Sequence, residues 1–216
     1  GDALTDADNN IALGYASLGG NTTGNYNVAV GMANLAATTT QSNNTAIGYE
    51  ALNQNTASNN TAVGYFALNV NTTGTNNNSV GMNSMTSNTT GNNNVAMGVG
   101  ALDSNTTASN NTALGHNALL VNTTGSGGTA VGKGALIANT TGTDNTAVGS
   151  LSLDANTTGA NNVAFGAGAL SENTTASNNT AVGFYALLSN TTGAGNTALG
   201  TYSLDANTTG ATNTAL

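Results

Sequence analysis

A glycine that recurs on a fixed period constrains this chain more than any other feature. Gly14, Gly31, Gly48, Gly64, Gly81, Gly98, Gly115, Gly132, Gly149, Gly166, Gly183 and Gly200 each follow a Thr-Ala-Val-like triplet, and every step is 17 residues except one of 16. Self-similarity at such a period marks a chain of stacked units, each unable to bury its apolar side chains alone. The short step, Gly48 to Gly64, reads Asn55-Thr56-Ala57-Ser58 where another unit reads Asn105-Thr106-Thr107-Ala108-Ser109. One loop threonine is missing there, and the strand register is predicted to survive its loss.

The unit N-N-T-A-V-G-x-x-A-L-x-x-N-T-T-G-x is nearly pure in Asn179-Thr180-Ala181-Val182-Gly183-Phe184-Tyr185-Ala186-Leu187. It predicts two short strands, the alternating Thr-Ala-Val segment and the Ala-Leu segment, bounded by the Gly and Asn residues that turn chains. No proline and no 3.6-period apolar stripe argue for a helical repeat. The predicted fold is all-β, a parallel β-solenoid of about twelve 17-residue coils. At about 4.8 Å per coil it would extend roughly 55–60 Å. Residues 1–216 read as a single repeat array, and both ends cut the repeat in mid-unit, as expected of an excerpt from a longer fibre.

Side chains alternate across a strand and stack in columns from coil to coil. One large apolar column runs Leu13, Val30, Ile47, Val63, Val80, Met97, Leu114, Val131, Val148, Phe165, Val182, Leu199. A second runs Leu18, Leu35, Leu52, Leu68, Met85, Leu102, Leu119, Leu136, Leu153, Leu170, Leu187, Leu204. Both are expected to form the core, with the position two before the first column (Ile11, Val28, Thr45, Thr61) also turned inward. Alternation then places the small column Ala46, Ala62, Ala96, Ala113, Ala130, Ala147, Ala164, Ala181, Ala198 outward, where its continuity and lack of charge predict packing against another copy of the chain. The invariant glycine implies a position where a side chain is forbidden, by positive φ or by close backbone approach. Stacked asparagines such as Asn105, Asn122, Asn139 and Asn156 are placed to pair their amides along the solenoid.

Composition narrows the partners. Only 5% of residues are charged and the net charge is -8, with Lys133 as the only basic side chain apart from His116. Phosphate neutralisation of nucleic acid is thereby excluded. Cysteine is absent, no stretch approaches the roughly 20 apolar residues of a membrane span, and Gly1-Asp2-Ala3-Leu4 lacks the features of a signal peptide.

The segments Asn27-Val28-Ala29-Val30-Gly31 and Asn94-Val95-Ala96-Met97-Gly98 resemble the N-S-V-A-I-G repeat of YadA-like trimeric autotransporter adhesin heads. The likeness extends over essentially the whole chain, and similar arrays occur in tail-fibre-type proteins of phages and bacteria. It implies a homotrimeric, left-handed β-roll at a cell surface, outside the cell or on a virion fibre, attached to host-cell surface glycan or protein. The 17-residue unit and the Thr at the first strand position depart from the adhesin pattern.

Catalysis requires a converging acid, base or nucleophile, and the single histidine, His116, has no recurring partner; no catalytic residue, metal site or cofactor is expected, and the chain is read as no enzyme. Asp103, Asp154 and Asp205 share one position but lie three or more coils apart, and Asp2, Asp6 and Asp8 read as a solvated terminus. Aromatics concentrate in the two positions after the fixed glycine: Tyr15, Tyr49, Tyr65, Phe66, Phe184, Tyr185 and Tyr202 form a candidate ligand-contact stripe. The Asn-Thr-Thr triplets, including Asn21, Asn71, Asn88 and Asn207, satisfy the glycosylation sequon as a by-product of the repeat. The function expected is a structural fibre or adhesin segment. The alternative is an ice-binding β-solenoid, weighed against the adjacency of the Thr-Thr pair in a predicted turn, since an ice face needs outward threonines separated by one residue.

Overall fold

A computed structural model describes residues 6–216. The chain divides into two compact units, Gly1–Ser109 and Asn110–Leu216. Each is a parallel β-solenoid with one short strand per coil. The first holds β1 (Ile11–Leu13), β2 (Val28–Met32), β3 (Thr45–Tyr49), β4 (Thr61–Val63), β5 (Asn78–Val80) and β6 (Val95–Met97). The second holds β7 (Thr112–Leu114), β8 (Thr129–Val131), β9 (Thr146–Val148), β10 (Val163–Phe165), β11 (Thr180–Val182), β12 (Thr197–Leu199) and β13 (Thr214–Ala215).

Strands pair in parallel with equivalent positions opposed, as in Thr129↔Thr146, Ala130↔Ala147 and Val131↔Val148. The short coil keeps this register, pairing Thr45↔Thr61, Ala46↔Ala62 and Ile47↔Val63. The deletion falls in the loop, where the Thr56 amide still reaches Thr72 O at 3.1 Å.

The predicted second strand is not formed. The Ala-Leu segment is a run of turns in which the core leucine is left-handed, with φ of 50° at Leu35, 53° at Leu136 and 52° at Leu187. Leucine accepts this uncommon conformation because burial of its side chain offsets the backbone strain. The side chains of Leu18, Leu35, Leu52, Leu68, Met85 and Leu102 are fully buried in the first unit, as are Leu136, Leu153, Leu170 and Leu187 in the second.

The strand faces are opposite to the sequence expectation. The alanines at strand centres point into the coil: Ala46, Ala62, Ala113, Ala130, Ala147, Ala164, Ala181 and Ala198 are 0% exposed and Ala96 is 1% exposed within the chain itself. They are core residues, not an outward packing face. The column expected inside lies outside, with Leu13 65%, Met97 54%, Phe165 56% and Leu199 49% exposed. The reason is volume. A coil this narrow fills its interior with the leucine from the turn and with two files of asparagine, leaving the strand room for a methyl group. Where Ser79 replaces the strand alanine, its hydroxyl bonds the hydroxyl and carbonyl of Ser84 across the core, so the added polar atom is satisfied.

The invariant glycine obeys both constraints proposed for it. At Gly132 φ is +134°, and an added Cβ would lie 2.5 Å from Gly149 O in the next coil. The repeating contact of glycine on glycine explains why no coil departs from it.

Asparagine supplies the remaining core. One file forms the expected amide ladder: Asn105 Nδ2 donates to Asn88 Oδ1 at 2.7 Å in the first unit, and Asn156 Nδ2 to Asn139 Oδ1 at 2.9 Å in the second. A second file, immediately before the strand, binds backbone as well as its own neighbours, Asn94 Nδ2 donating to Asn77 Oδ1 at 3.2 Å. Asn77 Oδ1 accepts from the Asn94 amide at 3.0 Å while Asn77 Nδ2 donates to Gly91 O at 2.8 Å. Together the files satisfy backbone groups that loops buried this deeply would otherwise leave unpaired.

Candidate functional site

Two surfaces carry the features that reach outward. The first is the outer face of the strands. Residues one and three of each strand flank the buried alanine, so the face presents Thr and Val or Leu side by side, as in Thr129 with Val131 and Thr146 with Val148. No charged residue enters either column. In β10 the outward pair is Val163 and the larger Phe165, 38% and 56% exposed. An uncharged, apolar strip of this kind along stacked strands is unusual for a surface facing only water.

The second is aromatic. Six of the seven aromatics singled out by position fall into two triads, one per unit. In the first, the rings of Tyr49 and Tyr65 stack at 5.3 Å with a 15° interplanar angle, and Phe66 packs edge-on to Tyr65 at 4.3 Å. In the second, Phe184 lies 4.0 Å from Tyr185 and 5.6 Å from Tyr202. The arrangement arises because the first residue after the fixed glycine points outward and the second is left-handed, with φ of 54° at both Phe66 and Tyr185. Consecutive side chains therefore fan out onto the same patch. Tyr15, 78% exposed, takes part in no ring contact among the described residues. Tyr26, 62% exposed, lies in the left-handed turn before β2, a column that the glycine-based reading did not single out.

Beside the second triad lies an open cavity of about 390 Å³ lined by Ser150, Leu151, Ala167, Gly168, Ser171, Tyr185 and Leu188. Ser171 Oγ donates to Asp154 Oδ1 at 2.6 Å, so one of the three repeat-position aspartates is held by a local hydroxyl. In the first triad, a hydrogen bond to Glu50, reinforced by the charge of that carboxylate, raises the Tyr49 phenol above its ordinary value.

His116 and Lys133 are exposed on neighbouring coils. Among the described residues no three His, Cys, Asp or Glu side chains gather to hold a metal ion. Asp2 lies outside the described residues. The sequon asparagines Asn21, Asn71 and Asn88 are fully buried with their amides bonded to the carbonyls of Gly24, Gly74 and Gly91, so the folded chain offers no access to them. No protein-family model matches the sequence, and no curated protein or solved structure matches it.

Proposed function

We propose that the chain is a structural fibre or adhesin segment, not an enzyme, that assembles with copies of itself, as a homotrimer, outside the cell or on a cell or virion surface. The observation that carries the reading is the exposed, uncharged strand face: Leu13, Ile47 and Met97 in the first unit and Phe165 and Leu199 in the second stand open to solvent in the single chain. Turning such strips from three copies toward a common axis removes apolar area from water and requires no compensating charge. The likeness of Asn27-Val28-Ala29-Val30-Gly31 to YadA-like head repeats points the same way. The aromatic triads remain for contact with a surface glycan or protein. Light scattering over a dilution series tests the assembly: a stable mass three times the 21.0 kDa chain is expected, and a monomer at all concentrations overturns it.

The ice-binding alternative is favoured by one observation. Outward threonines stand in register on successive strands, with Thr112, Thr129 and Thr146 paired through their backbones and separated by one residue from the apolar column. Ice shaping and thermal hysteresis by the purified chain would favour this reading over assembly through the same face.

A further inference from the structure

We infer that the cavity beside Tyr185 is a binding site for a neutral pyranose sugar. The inference rests on the surface-contact part of the proposed function and gives it a ligand class. One wall of the cavity is set by a glycine. Leu151, Gly168 and Tyr185 occupy one column on successive coils, all left-handed, with φ of 53°, 63° and 54°. Leucine and tyrosine show that this backbone tolerates a side chain, so glycine at 168 is not demanded by the chain's path. What glycine permits is the ring of Tyr185: a Cβ at 168 would lie 2.1 Å from Tyr185 Cε1. The ring therefore lies against the Gly168 backbone, in the place a side chain would take, and with Leu151 and Leu188 it gives the cavity apolar walls.

The polar component is as specific. Ser171 lines the cavity and gives its hydroxyl proton to Asp154 at 2.6 Å, which leaves the Ser171 oxygen as an acceptor toward a ligand. A hydroxyl held by a carboxylate accepts more strongly than a free one. No lysine, arginine or histidine lines the space, so an anionic ligand has no counter-charge and Asp154 disfavours it. A neutral pyranose matches this set: its C–H face lies on an aromatic or aliphatic wall while its ring hydroxyls donate at the edge. The volume falls within the about 300–1,000 Å³ of small-molecule sites.

The test is NMR of the assembled protein carrying ¹³C-ring tyrosine, titrated with the methyl glycosides of glucose, galactose and mannose. At least one is expected to shift the Tyr185 ring signals saturably, with a Kd on the order of 1–10 mM, as suits a small, open site. Tyr185→Asn, which places in this column the residue already found at Asn117, is expected to fold and to weaken binding about tenfold or more. Gly168→Ala, which displaces the ring without removing it, is expected to weaken the same glycoside. Absence of any Tyr185 shift with all three glycosides overturns the site, as does binding that survives Tyr185→Asn undiminished. Light scattering on the same samples reads assembly separately, so failure of the sugar site and failure of the fibre reading are told apart.

Discussion

Asn139 Nδ2 donates to Asn122 Oδ1 at 2.8 Å, one coil away and inside the solenoid, and Asn139 Oδ1 accepts in turn from Asn156 Nδ2 at 2.9 Å. The same Nδ2 reaches Gly142 O at 3.0 Å, so one buried amide ties two coils and closes its own turn. Asn139→Ala withdraws these bonds at a position only 2% exposed. A loss of about 2–3 kcal/mol is expected, since buried polar groups left without partners carry roughly 1–3 kcal/mol each. Because stacked coils are stabilised by their neighbours, the loss should show as faster amide hydrogen exchange in residues near 122–159, ahead of the distant coils.

The two strand faces are separable by substitution. Ala147→Leu forces three extra carbons into a fully buried site and is expected to destabilise the coil by about 1–3 kcal/mol whether or not copies associate. Val148→Lys alters the neighbouring outward position, leaves the circular dichroism spectrum of the coil unchanged, and is expected to reduce the light-scattering mass to that of a single chain. A multimeric mass retained by Val148→Lys would argue against the strand face as the site of assembly.

Gly132→Ala tests the glycine file. The new Cβ meets Gly149 O, and φ of +134° is strained for any L side chain. Roughly 3 kcal/mol of destabilisation is expected, with the melting temperature as readout. Gly134→Ala provides the contrast: its φ of +65° is one that Leu151 adopts at the same column, and the only close contact is Leu151 Cδ2, the end of a flexible side chain. A clearly smaller loss is expected there.

Tyr49 should titrate above its ordinary value near 10, because Glu50 accepts its hydroxyl proton and repels the phenolate. The folded state thus holds this proton more tightly than the unfolded state. Its contribution to stability is present below the unfolded pKa and is lost as the pH rises through the folded one. Ultraviolet difference titration at alkaline pH reads the shift, and Glu50→Gln is expected to move the Tyr49 transition to lower pH.

Much of this architecture was legible in the sequence because it is periodic. The 17-residue step identified one coil per repeat, the missing threonine fell in a loop with register retained, the glycine file announced a close backbone approach, and the column of Asn105, Asn122, Asn139 and Asn156 announced an amide ladder, whereas the asparagine file before the strand went unread. The clustering of aromatics after the fixed glycine was also legible, since it is a matter of position. The cavity was not, because Gly168 becomes informative only when Tyr185 is seen lying across it.

Period alone left the direction of each column open. Alternation says that Ala147 and Val148 point to opposite sides, and hydrophobicity assigned the larger one to the core. The tertiary structure decided otherwise, because leucines such as Leu153 enter from left-handed turns and, with the asparagine files, already occupy the interior. Only a side chain as small as that of alanine or serine fits the space that remains. The sequence determined the repeat, its register and its amide ladder; the closing of the coil decided which face is core and which is surface, since that depends on the volume other segments bring to the same interior.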